Sequence, residues 1–302
     1  MIVQVETITE CNRSCWYCPN AHFPRRPSAV MSAELFEAVL DEVSRTFTKR
    51  QLRTVSLAAY NEPTLDPAFR ERLVTLARKG FDYYFITNGT GVTEDLVDFL
   101  VRESIPISSF HVNLPAVDPE EYGRATGGRP EDVLALRRGL AGLFRRGADF
   151  GAKMTLVVHG DGGEGHRRNF ERVQDFWRGE AVSVLFLPVM NRAGLLDKVI
   201  PPPIDHGTDR VWCRSRHLDS LFVNVEAGLY LCCHDFHQES VYGNLTRSPL
   251  RDLLRSEARA QAIREFKAQF CRRCSFAVKL DEVLQPWSGG RIDSRNGPQR
   301  MR

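Results

Sequence analysis

The chain has 302 residues, 42% hydrophobic and 26% charged, a size at which one core plus a smaller second module is expected. Its formal net charge of +3 comes from arginines spread along the sequence with no basic tract before the tail, which argues against a nucleic-acid partner. No apolar run approaches a membrane span and Met1 leads into a strand-like segment without a secretory signal; the expected setting is the cytoplasm, where eight cysteines point to metal or catalysis before disulfides.

The first predicted strand, Ile2 to Ile8, runs directly into CNRSCWYC. Cys11, Cys15 and Cys18 have C-x3-C-x2-C spacing, so one short loop can aim three thiolates at a single inorganic centre. A four-iron cluster needs four protein ligands to be closed, so three cysteines leave one iron open to a small molecule. A zinc knuckle with His22, or a disulfide loop, is the alternative reading of the same residues.

Beyond a proline-containing loop, Ser32 reads as an N-cap, and Phe36, Val39, Leu40 and Val43 recur at helical spacing. A strand over Thr54 to Ala59 follows, then a helix opened by Asp66-Pro67 and closed by Gly80, and a strand over Phe81 to Ile86 that ends in the turn Thr87-Asn88-Gly89. Thr93 caps a short helix, Ser108 to Asn113 is strand-like, and Pro130 to Arg146 reads as a long amphipathic helix. Strands at Met154 to His159 and Val182 to Pro188 flank a helix near Asn169 to Trp177. Six strands alternating with helices imply a parallel α/β sheet whose reactive loops lie at the carboxyl ends of the strands.

From Trp212 the pattern changes. Ser220 to Val225 and Leu229 to Leu231 read as a hairpin turning at Glu226-Ala227-Gly228, followed by a helix over roughly Leu250 to Lys267. Cys213, Cys232, Cys233, Cys271 and Cys274 surround these elements and can supply a closed four-thiolate site, either a second cluster or a zinc ribbon. Cys232 and Cys233 are not both needed for four ligands. The segment 288–302 is polar and basic and reads as a mobile tail.

The cysteine loop after a first strand, with Tyr17 just before the last cysteine, resembles the radical S-adenosylmethionine (SAM) enzymes. The resemblance implies a partial (β/α)6 TIM-like barrel over 1–200, with SAM on the open iron of a [4Fe–4S] cluster. It also implies that Glu62 binds the SAM amino group, with Asn61 where the family carries glycine, while Tyr17, Asn88 and Asn113 take other parts of the cofactor. The later cysteines resemble the Twitch auxiliary-cluster module, here 201–280 with its β-hairpin and helix, leaving 281–302 as the tail. In that module Cys213, Cys232, Cys271 and Cys274 would hold a second [4Fe–4S] cluster, because Asp235 follows Cys232 at the family's spacing; Cys233 is then a small buried residue or a hydrogen-atom donor.

Asn191-Arg192-Ala193-Gly194-Leu195-Leu196-Asp197 and Val241-Tyr242-Gly243-Asn244 extend the likeness to Twitch dehydrogenases of aminoglycoside biosynthesis. That implies oxidation of a secondary alcohol of an aminocyclitol or aminoglycoside intermediate, with Arg192 on the hydroxyl, the second cluster as electron acceptor and a flavodoxin- or ferredoxin-type donor. Epimerisation with Cys233 returning hydrogen is the neighbouring expectation. Peptide modification is disfavoured because the loop begins at residue 11 with no leader-binding domain before it; a non-catalytic metal scaffold would cleave no SAM. Asp161, Glu164, Asp205, Asp209 and Glu226 are the carboxylates that could meet a cationic sugar.

Overall fold

A computed structural model describes residues 2–48, 51, 54–146, 149, 151–200 and 203–284. Strands β1 (Ile2–Val5), β2 (Thr54–Ser56), β3 (Tyr83–Thr87), β4 (Ile107–Asn113), β5 (Lys153–Gly160) and β6 (Ser183–Pro188) pair in parallel and in sequence order. Helices α1 (Ala33–Thr46), α2 (Phe69–Lys79), α3 (Glu94–Arg102), α4 (Pro119–Thr126), α5 (Asp132–Arg145) and α6 (Glu164–Phe176) fill the crossovers. This is the open half-barrel expected of a (β/α)6 chain.

The two faces of the sheet differ in a way that positions the site. Tyr83, Phe85, Phe110, Val112, Leu156 and Val158 point into the main core with Phe36, Val39, Leu40 and Val43 of α1. Their strand neighbours Tyr84, His111, Asn113 and His159 alternate to the other face and are only half buried.

The second half extends the same sheet. β7 (Val211–Cys213) is followed by the hairpin β8 (Leu221–Val223) and β9 (Gly228–Tyr230), then β10 (Gly243–Asn244), α7 (Leu250–Leu253), α8 (Glu257–Gln269), β11 (Ala277–Lys279) and α9 (Leu280–Leu284). β8 lies parallel to β1, in register Val3 to Leu221 and Val5 to Val223, so the sheet runs β10-β9-β8-β1-β2-β3-β4-β5-β6. At the hairpin Asn224 Oδ1 accepts from the Glu226 and Gly228 amides, which closes the turn with Ala227 at φ 63°. β7 and β11 form a separate antiparallel pair that sets Cys213 opposite Ala277.

Several boundaries move for local reasons. The helix expected from Asp66-Pro67 starts at Phe69, because Asp66 Oδ1 closes a turn on the Ala68 amide (2.9 Å) while Oδ2 pairs with the buried Arg72 (2.6 Å). The single helix expected over Leu250 to Lys267 is two, because the Ser256 hydroxyl caps a fresh start on the Arg259 amide at 3.1 Å. The unexpected α4 is opened by Asp118, whose Oδ1 accepts from the Glu121 amide, with Pro119 in the first turn, and is closed by Gly127 at φ 64°. The tail reading over 288–302 lies outside the described residues. Among the described residues, no helix is long and apolar enough to cross a membrane.

Candidate functional site

The loop carrying Cys11, Cys15 and Cys18 leaves the carboxyl end of β1 and is held from both sides. The Ser14 amide bonds Thr126 O (2.9 Å) and the Trp16 amide bonds Ala125 O (3.2 Å), which pins the loop to the end of α4. A Cβ on Gly127 would stand 3.1 Å from Ser14 O, so this approach needs glycine. From the opposite side Arg25 donates to Arg13 O (2.6 Å), Ser14 Oγ (2.9 Å) and Cys11 O. The Arg13 amide faces the Cys11 sulfur and the Asn20 amide faces that of Cys18. Burial pushes the Cys11 thiol up to about 11 and the Cys15 thiol up to about 12, and the neighbouring cysteines add to it. Three partly buried sulfurs that resist ionisation side by side, two of them met by amide donors and the third by Tyr17, form a donor set that a metal cation completes.

The ends of the next strands close around this loop. Tyr17 is buried, hydrogen-bonds Cys15 and stacks on His159 with ring centroids 4.8 Å apart. His159 Nε2 donates to Asn113 Oδ1 at 3.2 Å, which leaves Nδ1 as an unprotonated acceptor; burial, then Arg192 and His166, pushes this imidazole down to about 3. Asn88 Nδ2 reaches Asn12 Oδ1 (2.8 Å) and the Cys11 sulfur (3.8 Å), tying the third strand's turn to the cysteine loop. Glu62 is 1% exposed; its Oε1 accepts from Thr64 N, Thr64 Oγ1 and Thr87 Oγ1, and its Oε2 from the Asn88 amide at 2.7 Å. Burial raises its pKa and these donors oppose that rise. Asn61, at the position expected to be glycine, folds back on its own turn through Ala59 N (2.6 Å) and Leu57 O (3.0 Å).

The second cysteine set converges although it is dispersed in sequence. Cys213, Cys232, Cys271 and Cys274 line one small apolar cavity with Phe266 and Ala277. The His234 amide points at Cys232 Sγ and the Phe276 amide at Cys274 Sγ, each at 3.4 Å, the same two-residue geometry as at Cys11 and Cys18. Asp235 accepts from the Glu239 and Ser240 amides (3.0 and 2.8 Å), folding the loop that turns Cys232 inward. Cys233 does not line that cavity, but its Sγ lies 3.8 Å from Nδ1 of His217, which does. Burial pushes Cys271 up to about 12 and Cys274 up to about 11, so this donor set also fits a metal centre.

Between the two sites stands Arg192. Arg192, Ala193 and Gly194 follow one another at φ 50°, 56° and 94°, a left-handed run that costs about 1–3 kcal/mol per non-glycine residue and must be held by its surroundings. Asn191 holds it: Nδ2 donates to Arg273 O (2.6 Å) and Asp197 Oδ1 (3.0 Å), while Oδ1 accepts from Ser275 N (3.1 Å), the chain on either side of Cys274. The Arg192 guanidinium lies over the Tyr60 ring at 5.8 Å. Burial works against its charge, but Tyr60, Cys18, Cys233 and Cys232 nearby outweigh it. Arg192 Nε and Tyr60 Oη are buried with no partner among the described residues. Phe236 meets Tyr60 at 4.9 Å and Phe23 at 6.0 Å, and the buried Glu6 binds both Arg26 and Gln238, so the two cysteine loops share one seam.

Residues 5–164 match the model of the radical SAM superfamily, and the chain belongs to that superfamily; residues 213–275 match an iron–sulfur cluster-binding domain. The chain is 34% identical over 65 residues to the S-adenosyl-L-methionine-dependent 2-deoxy-scyllo-inosamine dehydrogenase of Niallia circulans, and 24% identical over 110 residues to the tungsten-containing aldehyde ferredoxin oxidoreductase cofactor-modifying protein of Pyrococcus furiosus. These stretches cover 21% and 36% of this chain but only 24% and 30% of the two relatives. In fold it is similar to BtrN in complex with AdoMet and 2-DOIA (TM-score 0.60, 19% identity, 91% of this chain and 92% of that one). It is likewise similar to SuiB of Streptococcus suis bound to precursor peptide SuiA (TM-score 0.63, 14% identity, 91% and 69%). SAM and two iron–sulfur clusters are therefore its cofactors, and the zinc and scaffold readings are set aside.

The structure brings together the expected Tyr17, Asn88 and Asn113 around the first loop, with Glu62 turned into its own hydrogen bonds, and sets Arg192 and Cys233 between the two sites. Among the expected carboxylates, Asp205 is taken by Arg272 (2.6 Å) and Glu164, 87% exposed, by Arg168 (2.9 Å). Sequence reasoning missed Arg25, Tyr60, His159, His217 and His234. Only Tyr60 and His159 carried a signal, as residues at or just past strand ends.

Proposed function

We propose that this chain is a radical SAM dehydrogenase that oxidises a secondary alcohol of an aminocyclitol or aminoglycoside intermediate in antibiotic biosynthesis, in the cytoplasm. The observation that carries the reading is Arg192: a backbone run at positive φ holds its guanidinium, whose buried Nε has no partner among the described residues, near sulfurs of both the three-cysteine and the four-cysteine site. When bound, SAM and its cluster supply a 5′-deoxyadenosyl radical able to take hydrogen from a carbinol carbon, and the auxiliary cluster, fed back through a flavodoxin- or ferredoxin-type partner, supplies a one-electron acceptor.

The chain's residues do the remainder. Cys11, Cys15 and Cys18 hold the first cluster; Cys213, Cys232, Cys271 and Cys274 hold the second. Asn88, Asn113, Tyr17 and Glu62, gathered at the strand ends and in the first cysteine loop, would hold SAM. Arg192 stays cationic, so it hydrogen-bonds and acidifies the substrate hydroxyl without acting as a base. His159, kept neutral by burial and fixed by Asn113, holds Tyr17 in place by stacking, and the hydroxyl proton passes to water.

Epimerisation is the second reading, favoured by one observation: Cys233 is free of the ligand cavity and lies beside Arg192. Anaerobic turnover with SAM, reductant and a panel of aminocyclitols in deuterated water separates the two. Dehydrogenation gives a product two mass units lighter than substrate; epimerisation through Cys233 gives one unit heavier, with deuterium on carbon. A panel that yields neither product while SAM is cleaved would sink the substrate class.

A further inference from the structure

Two imidazoles flank the closed cysteine site, and the proposed reaction gives them no task. His217 Nδ1 lies 3.6 Å from Cys232 Sγ, and His234 Nδ1 lies 3.7 Å from Cys274 Sγ. With Cys233 these histidines form a group whose ligand atoms all lie within 4.8 Å of one another. Their rings are fixed: His234 is 1% exposed and tilted against Phe276 (5.2 Å), and His217 meets the same Phe276 edge-on (5.5 Å).

The donor sense follows from the chemistry of the sulfur. A thiolate bound to iron carries no proton and only accepts, so in both contacts the imidazole Nδ1–H must donate. Backbone amides already reach the same two sulfurs, from His234 to Cys232 and from Phe276 to Cys274, which gives each sulfur a second donor. Hydrogen bonds to cluster sulfurs withdraw electron density and favour the reduced state, and they are among the terms that place cluster potentials over a wide range.

We propose that His217 and His234 donate hydrogen bonds to the Cys232 and Cys274 thiolates and hold the auxiliary cluster at a higher reduction potential than its amide donors alone would give. The inference rests on the reading of these cysteines as the auxiliary ligands. It makes the second site an electron sink matched to a substrate radical, tuned by positioning residues that touch neither substrate nor SAM.

The test is a redox titration followed by electron paramagnetic resonance on the protein carrying both clusters, with the first cluster as internal reference. In His217→Phe and in His234→Phe the auxiliary midpoint potential falls, it falls further in the double variant, and the first cluster does not move. His217→Asn and His234→Asn, which keep an N–H near the Nδ1 position, recover part of the loss and remain informative where a phenylalanine variant assembles poorly. Unchanged auxiliary potentials in variants that retain both clusters overturn the proposal. So does nitrogen hyperfine coupling that places an imidazole directly on iron. Cys232→Ala and Cys274→Ala, which leave no donor atom, test the underlying reading separately: an auxiliary cluster that survives both means the ligands are misassigned, whatever the histidines do.

Discussion

The two cysteine sites reach similar chemistry by opposite routes. The first gathers Cys11, Cys15 and Cys18 from eight consecutive residues and holds them by contacts to their backbone, from α4 on one side and Arg25 on the other. The second gathers Cys213, Cys232 and the Cys271–Cys274 pair from three separate places and holds them through packing: the β7–β11 pair, the hairpin, the end of α8 and the Asn191 side chain. A site that must stay open to a cofactor is built on one loop whose sulfurs project from a fixed frame. A closed site can be distributed, because its cluster completes the frame. Amide donors serve both sites; the first adds a guanidinium on the loop backbone, the second imidazoles and Phe276.

The contrast breaks most sharply at the ligands. Cys15→Ala should abolish formation of 5′-deoxyadenosine, measured by chromatography after anaerobic incubation with SAM and reductant, while the auxiliary cluster remains visible by Mössbauer spectroscopy. Cys274→Ser should do the reverse, removing the auxiliary cluster and the oxidised product but leaving SAM cleavage detectable. If both variants lose both clusters, the sites are not separable in assembly. Between them, Arg192→Lys keeps the charge but not the fork, and oxidised product per SAM cleaved should fall by about 10²-fold, the scale set by misplacing a positioned group.

Smaller effects sharpen the picture. Asn191→Ala removes two hydrogen bonds joining the Arg192 segment to the chain around Cys274 and a third to Asp197, and should lower stability by about 1–3 kcal/mol in denaturant unfolding, with earlier loss of the auxiliary cluster than of the first. Ser32→Ala, which removes only the cap on the Leu35 amide at the start of α1, should cost about 1 kcal/mol and leave turnover unchanged.

What the sequence made legible follows the same division. Phe36, Val39, Leu40 and Val43 are buried as their spacing requires, and the strand ends bring Glu62, Asn88 and Asn113 around the cysteine loop that carries Tyr17, because periodicity and topology are local or rule-bound. The left-handed run through Arg192 and Ala193 was not legible: neither residue type advertises positive φ, and only Gly194 hints at it. Nor were His217 and His234, whose meaning depends on which sulfurs the fold places beside them. The helix break at Ser256 and the start of α4 at Asp118 were written in capping chemistry that a periodicity scan passes over.

The parallel pairing of β8 with β1 has a consequence for folding. β1 is the first strand of the barrel, yet half of its backbone hydrogen-bonding capacity waits for a strand more than two hundred residues later. A chain cut near residue 200 leaves Val3 and Val5 on an unpaired edge, a template for association with other chains. Barrel and auxiliary region should therefore melt as one cooperative unit, and a construction that grafts this auxiliary module onto another barrel must supply a matching first strand along with it.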